Sequence, residues 1–191
     1  EGVLVEERLE DRHPVMAIIG RPNVGKSTLV NSILGEERVI VFDQPGTTRD
    51  AIEIEFQREG KDYTIIDTAG VRKRGKVNEV IEKFSVIKAL QAMEEANVVV
   101  LVIDGTEGVS DQDVSLAAFA VEAGRAMVVV INKWDLCGEE AREVIDRTYR
   151  HKLRFLDFAK VHRISATKGF GIDGLLRSVE KAFESSRMNL P

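Results

Sequence analysis

The chain has 191 residues, 43% hydrophobic and 31% charged, a balance that fits one globular domain with a real core and excludes an intrinsically disordered chain. A net charge of -5 excludes a surface that is basic throughout, while leaving room for a local basic face. The one cysteine, Cys137, excludes an intrachain disulfide framework and points to a reducing, cytoplasmic setting; no signal-peptide pattern opens the chain and no apolar run reaches the ~20 residues of a membrane span.

Residues 1–13 are acidic and read as a linker or lead-in, with the domain proper over 14–187 and a short tail at 188–191. The apolar run Val15 to Ile19 predicts a first strand. Gly20-Arg21-Pro22-Asn23-Val24-Gly25-Lys26-Ser27 follows, and then a helical run from Thr28 that ends near Gly35. Residues 36–50 carry no sustained period and read as a loop with a short extended piece at Val39 to Phe42. The alternation Ile52, Ile54, Phe56 predicts a half-buried strand, which with Tyr63 to Ile66 forms a hairpin over 51–66. A helical pattern spans Val80 to Glu95. Val98 to Ile103 is a near-continuous apolar run, expected as a parallel strand buried on both faces. Ser110 caps a helix through about Glu122; Met127 to Ile131 is another buried strand. A long helix is predicted from Glu139 to about Phe158, a short strand from Val161 to Ile164, and a closing helix from Ile172 to about Ser185. Alternating strands and helices imply a mostly parallel α/β sheet of six strands, with one antiparallel edge strand and helices on both faces. Ligands in such sheets bind at the carboxyl ends of the strands.

The pattern G-x-x-x-x-G-K-[ST] between strand and helix is that of a phosphate-binding loop. The glycines let successive N–H groups face a phosphate, and the helix start adds a favourable dipole. Lys26 is placed to reach β- and γ-phosphates and the Ser27 hydroxyl to ligate magnesium. Asp67, at the end of an apolar strand, is the expected second magnesium group. Thr48 is the expected switch threonine, binding magnesium and the γ-phosphate, with Thr47 as its rival. In Asn132-Lys133-Trp134-Asp135 the carboxylate of Asp135 can accept two hydrogen bonds from the N1–H and N2–H₂ edge of guanine, which adenine lacks. Lys133 is expected along the base, Asn132 as a tie to the phosphate loop, and Ser165-Ala166 as the source of a backbone N–H for the guanine O6.

The pieces GRPNVGKS, PGTTRD, DTAG, NKWD and SA together resemble the Era/EngA/TrmE group of GTPases. The runs DTAGVRKRGKV, EKFSVIKALQAMEEANVVVLVID and EGVSDQD resemble the second GTPase domain of the EngA (Der) family, over about residues 15–186. The resemblance implies a three-layer P-loop NTPase of the Ras-like G-domain type. It implies a GTPase acting in large ribosomal subunit assembly, with GTP/GDP, Mg2+ and K+ as cofactors. Nucleotide contacts fall to Asn23, Val24, Gly25, Lys26, Ser27, Thr28, Asn132, Lys133, Asp135, Ser165 and Ala166. Mg2+ falls to Ser27, Thr48 and Asp67, and the catalytic set to Lys26, Thr48, Asn23 and Gly70. Partners implied are the large subunit and its rRNA, a first GTPase domain and a KH-like domain, the chain itself being a monomer. Val71 stands where Ras-like enzymes carry the glutamine that orients water. Asn23 is at the position where potassium-activated relatives bind a monovalent cation, so K+ at Asn23 is the expected substitute. The alternative is a nucleotide-dependent binding module with negligible hydrolysis in isolation. The basic run Arg72 to Lys76 is read equally as an RNA-contacting switch and a solvated loop. The basic excess over 142–163 reads as a solvated face. Trp134 is expected to pack and Cys137 to be inert.

Overall fold

A hydrophobic strand that alternates its side chains between two packed faces can be covered by helices on both sides, and β5 (Val98–Asp104) does so along its whole length. Val98, Val100 and Val102 enter one core with α1 (Lys26–Leu34) and α5 (Ile172–Met188). Val99, Leu101 and Ile103 enter a second core with α2 (Val86–Glu95), α3 (Asp111–Glu122) and α4 (Glu139–Lys152). β1 (Val15–Ile19) and β6 (Ala126–Asn132) divide their side chains in the same way. The result is the expected three-layer α/β sandwich. The computed structural model describes residues 12–42, 52–67 and 86–188.

The sheet has seven strands, in the order β2 (Val39–Phe42), β3 (Ile52–Arg58), β4 (Lys61–Asp67), β1, β5, β6, β7 (Lys160–Arg163). β1 pairs in parallel with β4 and β5, and β5, β6 and β7 continue in parallel. The expected six strands therefore become seven, because Val39 to Phe42 pairs antiparallel with β3 and forms the outer edge. The antiparallel strand is β3, one place in from that edge, joined to β4 by a hairpin turning at Glu59 and Gly60, both at positive φ. Phe56 and Tyr63 stack across it, with ring centroids 5.1 Å apart.

The long helix expected over 139–158 is shorter. α4 stops at Lys152, with Leu153 at φ -116, and the chain continues through a 3-10 turn at Arg154–Leu156. The last turn of α4 places Arg150 and Lys152 at the negative end of the helix dipole. At the other end of the fold's logic, α3 starts as expected at Ser110. It does so with a full capping box: the Asp113 amide donates to Ser110 Oγ, and the Ser110 amide to the Asp113 carboxylate.

β7 packs on α5 through His162, whose Nε2 lies 2.6 Å from Ser178 Oγ. Burial, and then Lys160 and Arg177, push the imidazole below its ordinary value. The folded state thus favours the neutral ring, while the unfolded chain takes up a proton below about pH 6.5. Stability contributed here is present above that pH and is lost as pH falls through the lower, folded value. Thermal melts at pH 7.5 and 5.5 are expected to show a drop at the lower pH that is smaller in a His162→Gln variant.

Candidate functional site

The carboxyl ends of β1, β4, β5, β6 and β7 share one edge of the sheet. They deliver Gly20, Asp67, Asp104, Asn132 and Ser165 to it. The phosphate-loop candidate crosses this edge between β1 and α1. Gly20 is pressed against β5: a Cβ there would sit 2.7 Å from the Val102 carbonyl oxygen. Gly25 precedes α1 at φ +99, a conformation glycine takes without penalty, and α1 begins with no side-chain cap on its amides. Those amides and the helix dipole form an anion-binding end. The Lys26 ammonium lies back across the loop, donating to the carbonyls of Gly20 at 2.7 Å and Arg21 at 2.8 Å. Val24 is buried, and Ser27 and Thr28 open the helix at the surface.

Asn132 connects three loops. Its amide nitrogen donates to the Val24 carbonyl at 2.9 Å, and its amide oxygen accepts from the Ala166 backbone N–H at 3.0 Å. The side chain is buried, so both bonds are shielded from water. The tie from Asn132 to the phosphate loop has the geometry expected of it. The amides expected for a base oxygen are differently engaged: Ala166 N–H is given to Asn132, and Ser165 N–H to the Phe170 carbonyl. Ser165 Oγ in turn accepts from the Lys168 amide at 3.2 Å.

Lys133 sits at φ +62 and sends its ammonium back over the loop, donating to the Asn23 carbonyl and to Asp104 Oδ2, each at 2.8 Å. Asn23 is itself at φ +66, a region asparagine tolerates better than most residues, and its side chain is exposed. Asp135 is exposed on the short 3-10 turn Trp134–Leu136 that follows Lys133. Trp134 packs, as expected, with the guanidinium groups of Arg142 and Arg163 at 4.7 and 5.4 Å from its ring centroid. Cys137 is buried beneath the turn, its thiol donating to the Lys133 carbonyl, and burial pushes that thiol up. Thr47, Thr48, Gly70, Val71 and the basic run 72–76 lie outside the described residues.

Asp104 is the residue that sequence reading missed. Burial raises its carboxyl, but the Lys133 ammonium and the Thr106 hydroxyl and amide outweigh it and hold it below the ordinary 3.8. That charged form is present above its unfolded value and lost as pH falls through the lower folded one. Its only sequence signal is its place as the first polar residue after the apolar run of β5. Asp104→Asn keeps the shape and removes the charge. It is expected to weaken GDP binding about tenfold, the scale of a hydrogen bond to a charged group. Fluorescent-nucleotide titration checks this, and in a Lys133→Ala background the same change is expected to have no further effect.

The flank of the phosphate loop is held by Arg21, which pairs with Glu107 at 2.8 Å and with the fully buried Asp113 at 3.3 Å. Asp67, at the end of β4, is buried, at 3% exposure. Among the described residues no group of three or more His, Cys, Asp or Glu side chains stands together as a metal cage.

The family model for the 50S ribosome-binding GTPase matches residues 15–133, from β1 through the phosphate loop to Lys133. The chain belongs to this family. GTPase Der of Neisseria meningitidis serogroup B is 63% identical over 97% of this chain, which spans 38% of that protein. GTPase Der of Chromobacterium violaceum is 60% identical over 100% of this chain and 41% of its own length. The chain therefore spans about two-fifths of the length of the curated relatives it matches. Among solved structures, Era in complex with MgGDPNP and a segment of 16S ribosomal RNA aligns with a TM-score of 0.64 at 28% identity. It covers 88% of this chain and 56% of that one. The resemblance read from the motifs to the EngA (Der) family, and the P-loop GTPase fold it implied, are borne out.

Proposed function

We propose that this chain is a GTPase domain that binds GTP with Mg2+, hydrolyses it with stimulation by K+, and acts as a switch in large ribosomal subunit assembly. The observation that carries the reading is the Asn132 side chain, which joins the phosphate loop to the 165–166 turn and so supports one site for both ends of a guanine nucleotide. Lys26, whose ammonium is bonded to two loop carbonyls, is assigned to the β- and γ-phosphates, where its positive charge would stabilise the transferring group. Asp135 accepts from the guanine edge, and Lys133, braced by Asp104, lies along the base. Ser27 and Asp67 are hard oxygen donors of the type magnesium prefers and are too few to close an all-protein cage. A bound Mg2+ would take its remaining ligands from phosphate oxygens and water. When bound, Mg2+ neutralises charge on the β- and γ-oxygens.

Thr48 and Gly70 are assigned to the γ-phosphate by their motifs. Val71 has no hydrogen-bonding side chain with which to orient water. Asn23, on the exposed rim of the loop, is assigned as the K+ ligand; the cation supplies the positive charge that an arginine finger supplies elsewhere. Residues 14–187 form the GTPase domain, with 1–13 as linker and 188–191 as tail. Guanine nucleotide, the large ribosomal subunit and its rRNA, a first GTPase domain and a KH-like domain are its partners. The domain is monomeric and cytoplasmic; among the described residues no helix is long and apolar enough to cross a membrane.

Single-turnover GTP hydrolysis in potassium and sodium buffers of equal ionic strength tests the reading. Faster phosphate release in potassium is expected, with the difference reduced in Asn23→Ala. Equal rates in the two salts would remove the K+ assignment. No hydrolysis in either, with GTP still bound, would leave a nucleotide-dependent binding module, the alternative that Val71 keeps open.

A further inference from the structure

The segment after α4 obeys a period of three. The Leu156 amide donates to the Leu153 carbonyl and the Ala159 amide to the Leu156 carbonyl, each at 3.0 Å, so the chain turns by i to i+3 bonds. Leu153, Leu156 and Ala159 accordingly share one face, and all three are buried in the core beneath α3 and α4. The same period puts Phe155 and Phe158 together on another face, where they are 41% and 60% exposed. Two large exposed aromatics three residues apart are not explained by the core, which the leucines already fill. A turn of three residues at a rise of ~2 Å each sets their backbone positions about 6 Å apart, of the order of two base steps of ~3.4 Å.

Four cations lie on the turn itself and on the two elements that flank it. Arg147 and Arg150 on the outer face of α4, Arg154 on the turn and Lys160 at the start of β7 are exposed. None of the four has an ion-pair partner among the described residues, whereas neighbouring Lys152 and Arg163 are paired with Asp111 and Asp146. The helix dipole of α4 accounts for a cation at Arg150 but not for Arg154 and Lys160, which lie beyond the helix. Asp157 is the one acid on the turn. In a chain of net charge -5, this is a cationic island. Lys160 pairs in register with Val128, near the amino end of β6, whereas Asn132 ends that strand at the nucleotide site. The island therefore stands at the opposite pole of the sheet from the phosphate loop.

We propose that this face, Phe155 and Phe158 framed by Arg147, Arg150, Arg154 and Lys160, is a docking site for single-stranded RNA. The rings stack on bases and the four cations track the phosphates. Protein interfaces also use aromatic residues and arginine, but a protein partner would leave four unpaired charges to be matched one by one, while a polyanion matches them as a set. The proposal rests on the ribosome-directed reading above and gives it a surface away from the nucleotide.

The test is fluorescence anisotropy with a fluorescein-labelled, unstructured 12-nucleotide RNA. Cosedimentation with 50S subunits, GDP titration and thermal melting run in parallel. Phe155→Ala/Phe158→Ala and Arg150→Glu/Arg154→Glu are each expected to weaken RNA binding at least about tenfold, with GDP affinity unchanged and a cooperative thermal melt retained. The dependence of log Kd on log salt is expected to have a slope of about 3, from about 0.7 per neutralised phosphate, and to fall only in the arginine variant. No RNA binding by the unmodified chain would overturn the proposal. So would a loss in the arginine variant alone, which would mean diffuse attraction without stacking. If the chain cosediments with 50S subunits and neither variant changes that or the RNA affinity, the surface is wrong and the ribosome reading stands. If the chain fails to cosediment while both variants lose RNA, the surface stands and the ribosome reading falls.

Discussion

Replacing Gly25 by alanine is expected to lower guanine-nucleotide affinity by about two to three orders of magnitude. Two effects combine at this position. Gly25 lies at φ +99, where a Cβ costs about 1–2 kcal/mol. The added methyl would also overlap the amide nitrogen of Asn132, so that side chain must move. Moving it breaks its bonds to the Val24 carbonyl and the Ala166 amide, each worth about 1 kcal/mol net, in a buried place where unmade bonds cost more. The sum, about 3–4 kcal/mol, falls on the nucleotide loops, because the two cores contain neither residue. Calorimetric titration with GDP reads the affinity and a thermal melt reads the fold. A near-normal GDP affinity would mean that the phosphate loop does not depend on the Asn132 tie.

The second large effect is one of selectivity. Asp135→Asn exchanges a carboxylate, which only accepts hydrogen bonds, for an amide that offers one acceptor and one donor group. Guanine presents two donors on the matching edge, so it is left with an unmatched amino group facing an amide N–H. A purine with a carbonyl in place of that amino group is matched instead. A site that reads a ligand by paired polar groups discriminates strongly when one is mismatched. GDP affinity is expected to fall about 10²–10³-fold, and the nucleotide of the 2-oxo purine xanthine to become the preferred ligand. Asp135 is exposed on its short turn, so the change is not expected to affect folding. Competition against a fluorescent GDP by the two diphosphates measures both affinities, and retention of guanine preference would remove Asp135 from base recognition.

The layers of the fold were legible because period-two and period-3.6 patterns are strong in this chain. The run Val98 to Ile103 read as a doubly covered strand, and the start of α3 was marked by Ser110. The edges were harder. Val39 to Phe42 reads only as a short extended piece between Gly35 and the turn residues Gln44-Pro45-Gly46, and its pairing with β3 is what makes it the seventh strand. The end of α4 was hidden because Leu153 to Ala159 contains neither glycine nor proline. The change from helix to 3-10 turn shows in a three-residue apolar spacing that overlaps a helical one. In the site, residue types told which loops meet but not how their backbone groups are spent. The N–H of Ala166 goes to Asn132, a bond across 34 positions that no local pattern contains. Asp104 was passed over for the same reason: its partner Lys133 is 29 positions away.

The central claim is that three loops, tied by Asn132, form one guanine-nucleotide site. Its most direct measurement is displacement of a fluorescent GDP from this chain, in magnesium buffer, by unlabelled GDP and by ADP. The account expects GDP to displace at least about a thousandfold more effectively than ADP, since adenine offers no paired donors to Asp135. Equal displacement by the two, or retention of the label against both, would contradict it.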